Sequence, residues 1–152
     1  RSLLPPYLRA MDIQTASSRE QFTACFPLMQ QLRPQLTLDE YLVRVLYMQD
    51  EGYRLIYTGL EEVAEALLGY RFATHLDEGR TIVINDFITT PAQRKEGLGA
   101  ALLLHLKSIA AAADIYHISI KLPFDAPEAQ RFCLNQGFVL DKQYLVLHLP
   151  GT

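Results

Sequence analysis

The sequence predicts one domain of mixed α/β class, and three observations lead to this prediction. The chain has 152 residues of which 49% are hydrophobic, enough for one ordinary core. Strand-like runs and helix-like apolar spacings alternate in the order β-α-α-β-β-β-α-β-α-β, with a further short strand at the end. A glycine-containing turn joins the longest apolar strand to an alanine-rich helix. We find no internal repeat and no low-complexity stretch.

The first half is predicted to hold a short strand, two helices and the start of a sheet. Residues 13–16 form the strand. Ser17 with Glu20 is predicted as the capping box of the first helix, which Pro34 ends. Thr37 with Glu40 is predicted as the capping box of the second helix, which ends at Gly52. Strands are predicted at residues 53–58 and 66–75, with a connection over residues 60–64.

The second half continues with alternating strands and helices. A long apolar run at residues 81–89 is typical of a central strand covered on both faces. The remaining predictions are a helix at 97–113, a strand at 115–122, a helix at 128–136, and a hairpin or two short strands at 138–149 that turn near Asp141 and Lys142.

Composition and charge exclude several classes of partner. The net charge is −3 with no run of like charges, so nothing suggests a nucleic-acid-binding surface. No apolar run is long enough to span a membrane. Cys25 and Cys133 have no metal-ligand spacing, and we expect two buried free thiols, no metal, and a cytoplasmic, reducing location. Residues 1–10 are expected to be a leader or extension, and residues 11–152 the domain.

The turn at residues 94–100 has the features of an anion-binding site. Backbone N–H groups in the first turn of a helix lack intrahelical partners and carry partial positive charge. Gly97 and Gly99 keep side-chain atoms away from those groups, and Arg94 adds a cation. A dinucleotide fingerprint would need glycine where Leu102 stands, and a P-loop would need lysine after the second glycine, where Ala100 stands.

Two segments of the chain resemble the signatures of the GNAT superfamily of N-acetyltransferases. Residues 85–99 resemble its fourth strand and pyrophosphate loop, and residues 129–138 resemble its Ala-x-x-Phe-Tyr-x-x-x-Gly-Phe segment. The resemblance covers roughly residues 11–149. It implies a central mixed, mostly antiparallel twisted sheet of about six to seven strands flanked by about four helices. It also implies acetyl-CoA as cosubstrate and a primary amine as acceptor.

The resemblance also implies which residues hold the cosubstrate. The pyrophosphate would lie on the backbone N–H groups of residues 95–100, and the pantetheine arm along the fourth strand where it splays from its neighbour. A freed N–H near Ile88 would stabilise the oxyanion that forms during amine attack. The expected cosubstrate-binding residues are Ile88, Thr89, Thr90, Arg94, Lys95, Glu96, Gly97, Leu98, Gly99, Ala100, Asp125 and Phe132.

The catalytic residues are less sharply indicated because the chain departs from the pattern. Cys133 stands where many members have the tyrosine that protonates the leaving sulfur, so it is either the acid or a small apolar residue. Tyr144 and Tyr116 are alternative donors. Asp86 is a candidate base, or a structural acid bonded to neighbouring backbone. The residues expected to reach the acceptor are Tyr7, Arg33, Gln35, Tyr41 and Arg44.

Other functions stay open from the sequence alone. The chain can be an acyl-CoA-binding sensor or regulatory module with little turnover, a nucleotide-binding α/β domain, or an interaction protein that binds none of these. The acceptor is expected to be a small molecule or a protein. The apolar run at residues 144–147 would suit a homodimer that pairs through residues 138–149.

Overall fold

The computed structural model describes residues 12–60, 63–90 and 97–151. Their elements are β1 (Gln14–Thr15), α1 (Arg19–Leu32), α2 (Leu38–Asp50), β2 (Arg54–Leu60), β3 (Val63–His75), β4 (Gly79–Thr89), α3 (Leu98–Ala112), β5 (Ile118–Ile120) and α4 (Pro127–Asn135). The mixed α/β class is thus confirmed. The described part contains five strands, slightly fewer than the six to seven predicted.

One sheet with the strand order β1-β2-β3-β4-β5 organises the chain up to Ile120. The first four strands pair antiparallel, and β5 pairs with β4 in parallel. The predominantly antiparallel sheet is therefore confirmed. β3 begins at Val63, earlier than predicted, because the connection expected over residues 60–64 is itself largely strand. β5 is shorter than predicted, with three paired residues.

Two β-bulges interrupt the pairing of the central strands. Thr58 pairs with Ala66 and Gly59 with Ala64, which leaves Glu65 as the extra residue of β3. Gly69 pairs with Asp86 and Tyr70 with Ile84, which leaves Asn85 as the extra residue of β4. A bulge bends its strand and increases the twist, so both strands change direction near these residues.

Helices cover both faces of the sheet. α1 and α2 bury Cys25, Leu28 and Val45 in one cluster with Leu55 and Leu67 of the sheet. Because successive strand residues point to opposite faces, the neighbouring Ile56 and Leu68, which are also fully buried, face the other side. There α3 packs against β2, β3 and β4.

The N-terminal caps of α1 and α2 are formed by side chains, as the sequence indicated, but the first cap lies one residue later. Ser18 accepts a hydrogen bond from the Gln21 N–H at 3.1 Å, and Gln21 Oε1 accepts from the Ser18 N–H at 3.2 Å. The predicted pair Ser17 and Glu20 is therefore wrong. Both pairs satisfy the same spacing rule, and the structure places Ser18 at the helix start. Thr37 and Glu40 form the predicted capping box of α2.

The residues from Lys121 onward form a second compact unit. It contains α4, which Gly137 follows with φ of +102°. The predicted hairpin at residues 138–149 is wrong, because the structure has no strand over residues 138–151. Most of these side chains are exposed, and a lone two-stranded hairpin is only marginally stable in water.

Candidate functional site

The start of α3 presents backbone N–H groups that no side chain of the described residues caps. Gly97 occupies the N-cap position with φ of +76°, and the first helical bond runs from the Ala101 N–H to the Gly97 carbonyl at 3.0 Å. The N–H groups of Leu98, Gly99 and Ala100 therefore precede the helical ladder. They point out of the helix where its dipole places partial positive charge.

The charge at this helix start differs from that of the other helices. α1 has Glu20 in its first turn, α2 has Asp39 and Glu40, and α4 has Glu128. α3 has no acidic residue in its first turn and no side-chain cap. Its N-terminus therefore keeps its capacity for an external anion, as a pyrophosphate would require.

The strand that leads toward this helix has one open edge. β5 pairs with β4 only from Ile82 to Ile84. From Asp86 to Thr89 the other edge of β4 stays paired with β3, and within the described ranges no strand pairs with the edge that β5 has left. The described pairing with β5 ends at Ile84, and the splay expected near Ile88 to Thr90 stays a prediction.

The bulge at Asn85 decides which backbone groups face this open edge. The Ile82 N–H donates to His117 next to β5 at 2.9 Å, whereas the Thr90 N–H donates to Glu65 on β3 at 2.8 Å. In a regular strand, residues eight apart would point to the same edge. The extra residue reverses the alternation, so the N–H and carbonyl of Thr89 face the open edge and those of Ile88 face β3.

Asp86 lies beside the bulge, and both of its carboxylate oxygens accept hydrogen bonds. Arg33 Nη2 donates to Oδ1 at 3.1 Å, and the Tyr53 hydroxyl donates to Oδ2 at 2.7 Å. The same Arg33 nitrogen donates to the Asn85 carbonyl at 2.9 Å. The Asp86 side chain is 10% exposed and that of Arg33 is 50% exposed, so the pair lies at the margin of the core.

Tyr53 is held as a hydrogen-bond donor by its surroundings. Burial raises the pKa of its hydroxyl well above the ordinary value, and the nearby Asp86 carboxylate raises it further. The phenol therefore keeps its proton at neutral pH. Its ring crosses β3 at Gly69, where a Cβ atom would overlap the Tyr53 hydroxyl oxygen. Glycine at position 69 is what allows Tyr53 to reach Asp86.

The predicted site residues after Ile120 belong to the second unit. Cys133 is buried within α4, and desolvation raises the pKa of its thiol. Phe132 is half-buried, and Asp125 is exposed in the turn before α4. Tyr144 is 60% exposed, and the Lys121 ammonium lies 4.2 Å from the centre of its ring.

Three of the predicted cosubstrate residues, Arg94, Lys95 and Glu96, lie outside the described residues, and so does Tyr7. The others in the first unit are Ile88, Thr89 and Thr90 at the end of β4 and Gly97, Leu98, Gly99 and Ala100 at the start of α3. Tyr53, Gly69 and Asn85 were not singled out from the sequence. A glycine inside a strand pattern is the one signal that marks such a close approach in advance.

A comparison with protein-family models decides the family. Residues 16–138 match the acetyltransferase (GNAT) family. The chain belongs to this family. The GNAT resemblance seen in the sequence is thus confirmed, and the chain is an N-acetyltransferase whose family uses acetyl-CoA as cosubstrate.

Individual relatives agree with this assignment. An uncharacterized N-acetyltransferase of Bacillus subtilis (strain 168), YhdJ, is 28% identical over 133 residues, which are 86% of this chain and 94% of that protein. A predicted acetyltransferase from Clostridium acetobutylicum, solved with acetyl-CoA, superposes with a TM-score of 0.72 at 16% identity, covering 90% of this chain and 95% of its own. An aminoglycoside acetyltransferase from an uncultured soil metagenomic sample, solved with sisomicin, gives 0.76 at 10% identity, covering 93% and 96%.

In the described ranges, no group of three or more histidine, cysteine, aspartate or glutamate side chains is arranged to hold a metal ion. No helix among the described residues is long and apolar enough to cross a membrane.

Proposed function

We propose that this GNAT enzyme transfers the acetyl group of acetyl-CoA to a primary amine by direct attack, with both substrates bound together. The observation that carries the proposal is the uncapped start of α3 next to the open edge of β4. The first supplies N–H donors for a pyrophosphate. The second supplies the outward-facing N–H and carbonyl of Thr89, with which an amide-containing arm can pair.

The start of α3 and the outer edge of β4 together set the orientation in which acetyl-CoA would bind. With the pyrophosphate at Leu98 to Ala100 and the arm along Thr89, the thioester end lies toward the bulge at Asn85. The acceptor amine then approaches on that side of β4. Arg94 and Lys95 are proposed to add charge-assisted contacts to the phosphates, of roughly 1.5–3 kcal/mol each when well formed.

Proton transfers accompany this attack, because an alkylamine with a pKa of about 10.4 is mostly protonated at neutral pH. Asp86 is our sequence-based candidate for the base, and Cys133 and Tyr144 for the acid. The raised pKa of Cys133 keeps the thiol protonated but makes it a reluctant donor to a thiolate whose own pKa is roughly 8.5. This favours an apolar role for Cys133.

The acceptor and the assembly are also proposals. Proteins of this fold include an aminoglycoside acetyltransferase, which makes a polyamine-like small molecule one acceptor class to test beside amino acids and protein N-termini. We propose that residues 11–152 form one cytoplasmic acetyltransferase domain without a metal. We also propose that it pairs as a homodimer through residues 138–149, where Leu145 and Leu147 are largely exposed.

Thermal melting with acetyl-CoA, CoA, ATP and NAD tests the cosubstrate site. A ligand present at 100 times its dissociation constant stabilises the fold by about 2.7 kcal/mol, which raises the melting temperature by several degrees. We expect this rise with acetyl-CoA and CoA and none with ATP or NAD. An equal rise with all four would contradict the proposed selectivity.

Turnover is then measured as free thiol released from acetyl-CoA in the presence of an amine panel. Aminoglycosides, polyamines, amino acids and peptides represent the acceptor classes, and their N-acetylated or tertiary-amine analogues serve as matched controls. Release that requires a free primary amine supports direct transfer. CoA binding with no release for any amine would reject catalysis on these acceptors and favour the sensor interpretation.

A further inference from the structure

Asp86 is joined to two other parts of the fold by bonds that the catalytic proposal does not use. Through Arg33 it is connected to the residue that follows α1, and through Tyr53 to the residue that precedes β2. Arg33 also contacts the Asn85 carbonyl, so a single guanidinium nitrogen binds the bulge and the residue next to it. We call Arg33, Tyr53 and Asp86 the bulge anchor.

The bulge anchor acts at the position that sets the alternation of β4. Asn85 is the residue at which the N–H direction reverses, and Thr89 faces the open edge as a result. If the extra residue were lost while Ile82 to Ile84 kept their pairing, Ile88 would face that edge instead, since strand residues alternate. The bonds to Asn85 and Asp86 therefore fix which backbone groups are offered to a ligand.

The same bonds make Asp86 poorly suited to remove a proton from an amine. Its Oδ2 receives the Tyr53 hydroxyl at 2.7 Å, and its Oδ1 receives the Arg33 guanidinium at 3.1 Å. Both oxygens are thus already engaged by donors from other parts of the fold.

We propose that Asp86 is a positioning residue: together with Arg33 and Tyr53 it holds the β4 bulge in the register that presents Thr89 to the pantetheine arm of CoA. Gly69 is part of this arrangement because it gives Tyr53 its path across β3. The inference rests on the proposed CoA site. It differs from a base role in predicting an effect on CoA binding through the register of β4 and not an effect on proton transfer.

The test compares two ligands that share the phosphates and differ in the arm. One is CoA, and the other is adenosine 3′-phosphate 5′-diphosphate, which lacks pantetheine. Affinities are measured by calorimetry for the wild type, Tyr53→Phe, Arg33→Lys and Asp86→Asn. Tyr47→Phe is the matched control, because it loses the same hydroxyl from an exposed position on α2.

We expect Tyr53→Phe and Arg33→Lys to weaken CoA binding by roughly 5- to 10-fold, the lower range of typical site-to-site coupling. Binding of the nucleotide fragment should stay within about twofold, as should both affinities in Tyr47→Phe. Amide hydrogen exchange without ligand gives a second readout. Exchange around Asn85 to Thr89 should rise in Tyr53→Phe and stay unchanged in Tyr47→Phe.

Three other results would contradict either the positioning role or the CoA site itself. Unchanged CoA affinity in folded Tyr53→Phe and Arg33→Lys, with unchanged exchange, overturns the positioning role and returns Asp86 to the base candidates. Equal losses for CoA and the fragment also overturn it, since the effect would then reach the phosphate site. A folded wild-type protein that binds neither ligand overturns the proposed CoA site itself, and this inference falls with it.

Discussion

Cys25 shows how the burial of one side chain can make the stability of the whole fold depend on pH. It lies in the middle of α1, is fully buried, and packs in the cluster between the helices and the sheet. Desolvation raises the pKa of its thiol from 9.0 to about 12. The folded protein therefore holds this proton at pH values where the unfolded chain releases it.

We predict that the free energy of unfolding falls as the pH rises above about 9, partly because of Cys25. The thiol pKa is higher in the folded state, so its contribution is complete below the unfolded pKa and is lost between pH 9 and about 12. The slope is about 1.4 kcal/mol per pH unit. Urea unfolding at pH 8 to 10 measures the slope, to which the buried tyrosines, whose pKa values are also raised, add toward the upper end of this range.

Cys25→Ala should remove much of this slope between pH 9 and 10. Val45→Ala, in the same buried cluster, is the matched control, because it loses packing without losing a titrating group. It should lower the stability equally at every pH. An identical pH slope in wild type and Cys25→Ala would contradict the prediction.

At the scale of elements, two glycines share a positive φ, but one precedes a helix and the other begins a strand. Gly97 begins α3 with φ of +76°, and Gly79 begins β4 with φ of +70°. A Cβ atom at either position would meet nothing within 4 Å. Substitution with alanine therefore strains the backbone to a similar degree at both, and roughly 1–2 kcal/mol is expected.

We predict that Gly97→Ala and Gly79→Ala lower the melting temperature by similar amounts and differ in their response to CoA. Relief of the strain at position 97 would turn the N–H groups of Leu98 to Ala100 away from a common target. The rise in melting temperature with CoA should then shrink in Gly97→Ala and persist in Gly79→Ala. Equal rises in both variants would show that the start of α3 does not hold the ligand.

Local signals were sufficient to predict most elements, and they failed where a decision depended on distant residues. The capping box of α2 followed from Thr37 and Glu40. For α1, Ser17 and Ser18 both fit the rule, and only the structure places Ser18 at the cap. The contacts of Asp86 could not be found locally, since Arg33 and Tyr53 are 53 and 33 residues away in the sequence.

At the scale of the whole molecule, apolar side chains after Gly137 stand out. Leu140, Leu145, Leu147 and Leu149 are all at least 77% exposed. Their sequence pattern predicts strands, but the sheet formed by the described residues contains no strand from this segment. A strand needs a second strand to pair with. Pairing of this kind depends on what lies opposite, which a local pattern does not contain.

We predict that Leu147→Glu shifts the protein toward the monomer in sedimentation or light-scattering measurements. A buried charge without a partner is costly at an interface, whereas the same change on a free surface alters stability by about 0.5 kcal/mol or less. Leu76→Glu, at an exposed turn between β3 and β4, is the matched control and should leave the mass unchanged. A wild type that is monomeric at all concentrations would contradict the proposed homodimer.

The close passage of Tyr53 over Gly69 also constrains the order in which these two positions can change during evolution. A side chain at position 69 and a phenol at position 53 cannot occupy this backbone together. Lineages that diverge from this chain are therefore expected to change position 53 before position 69, because the reverse order passes through an ancestor with overlapping atoms. A descendant with any residue other than glycine at position 69 should therefore no longer have tyrosine at position 53.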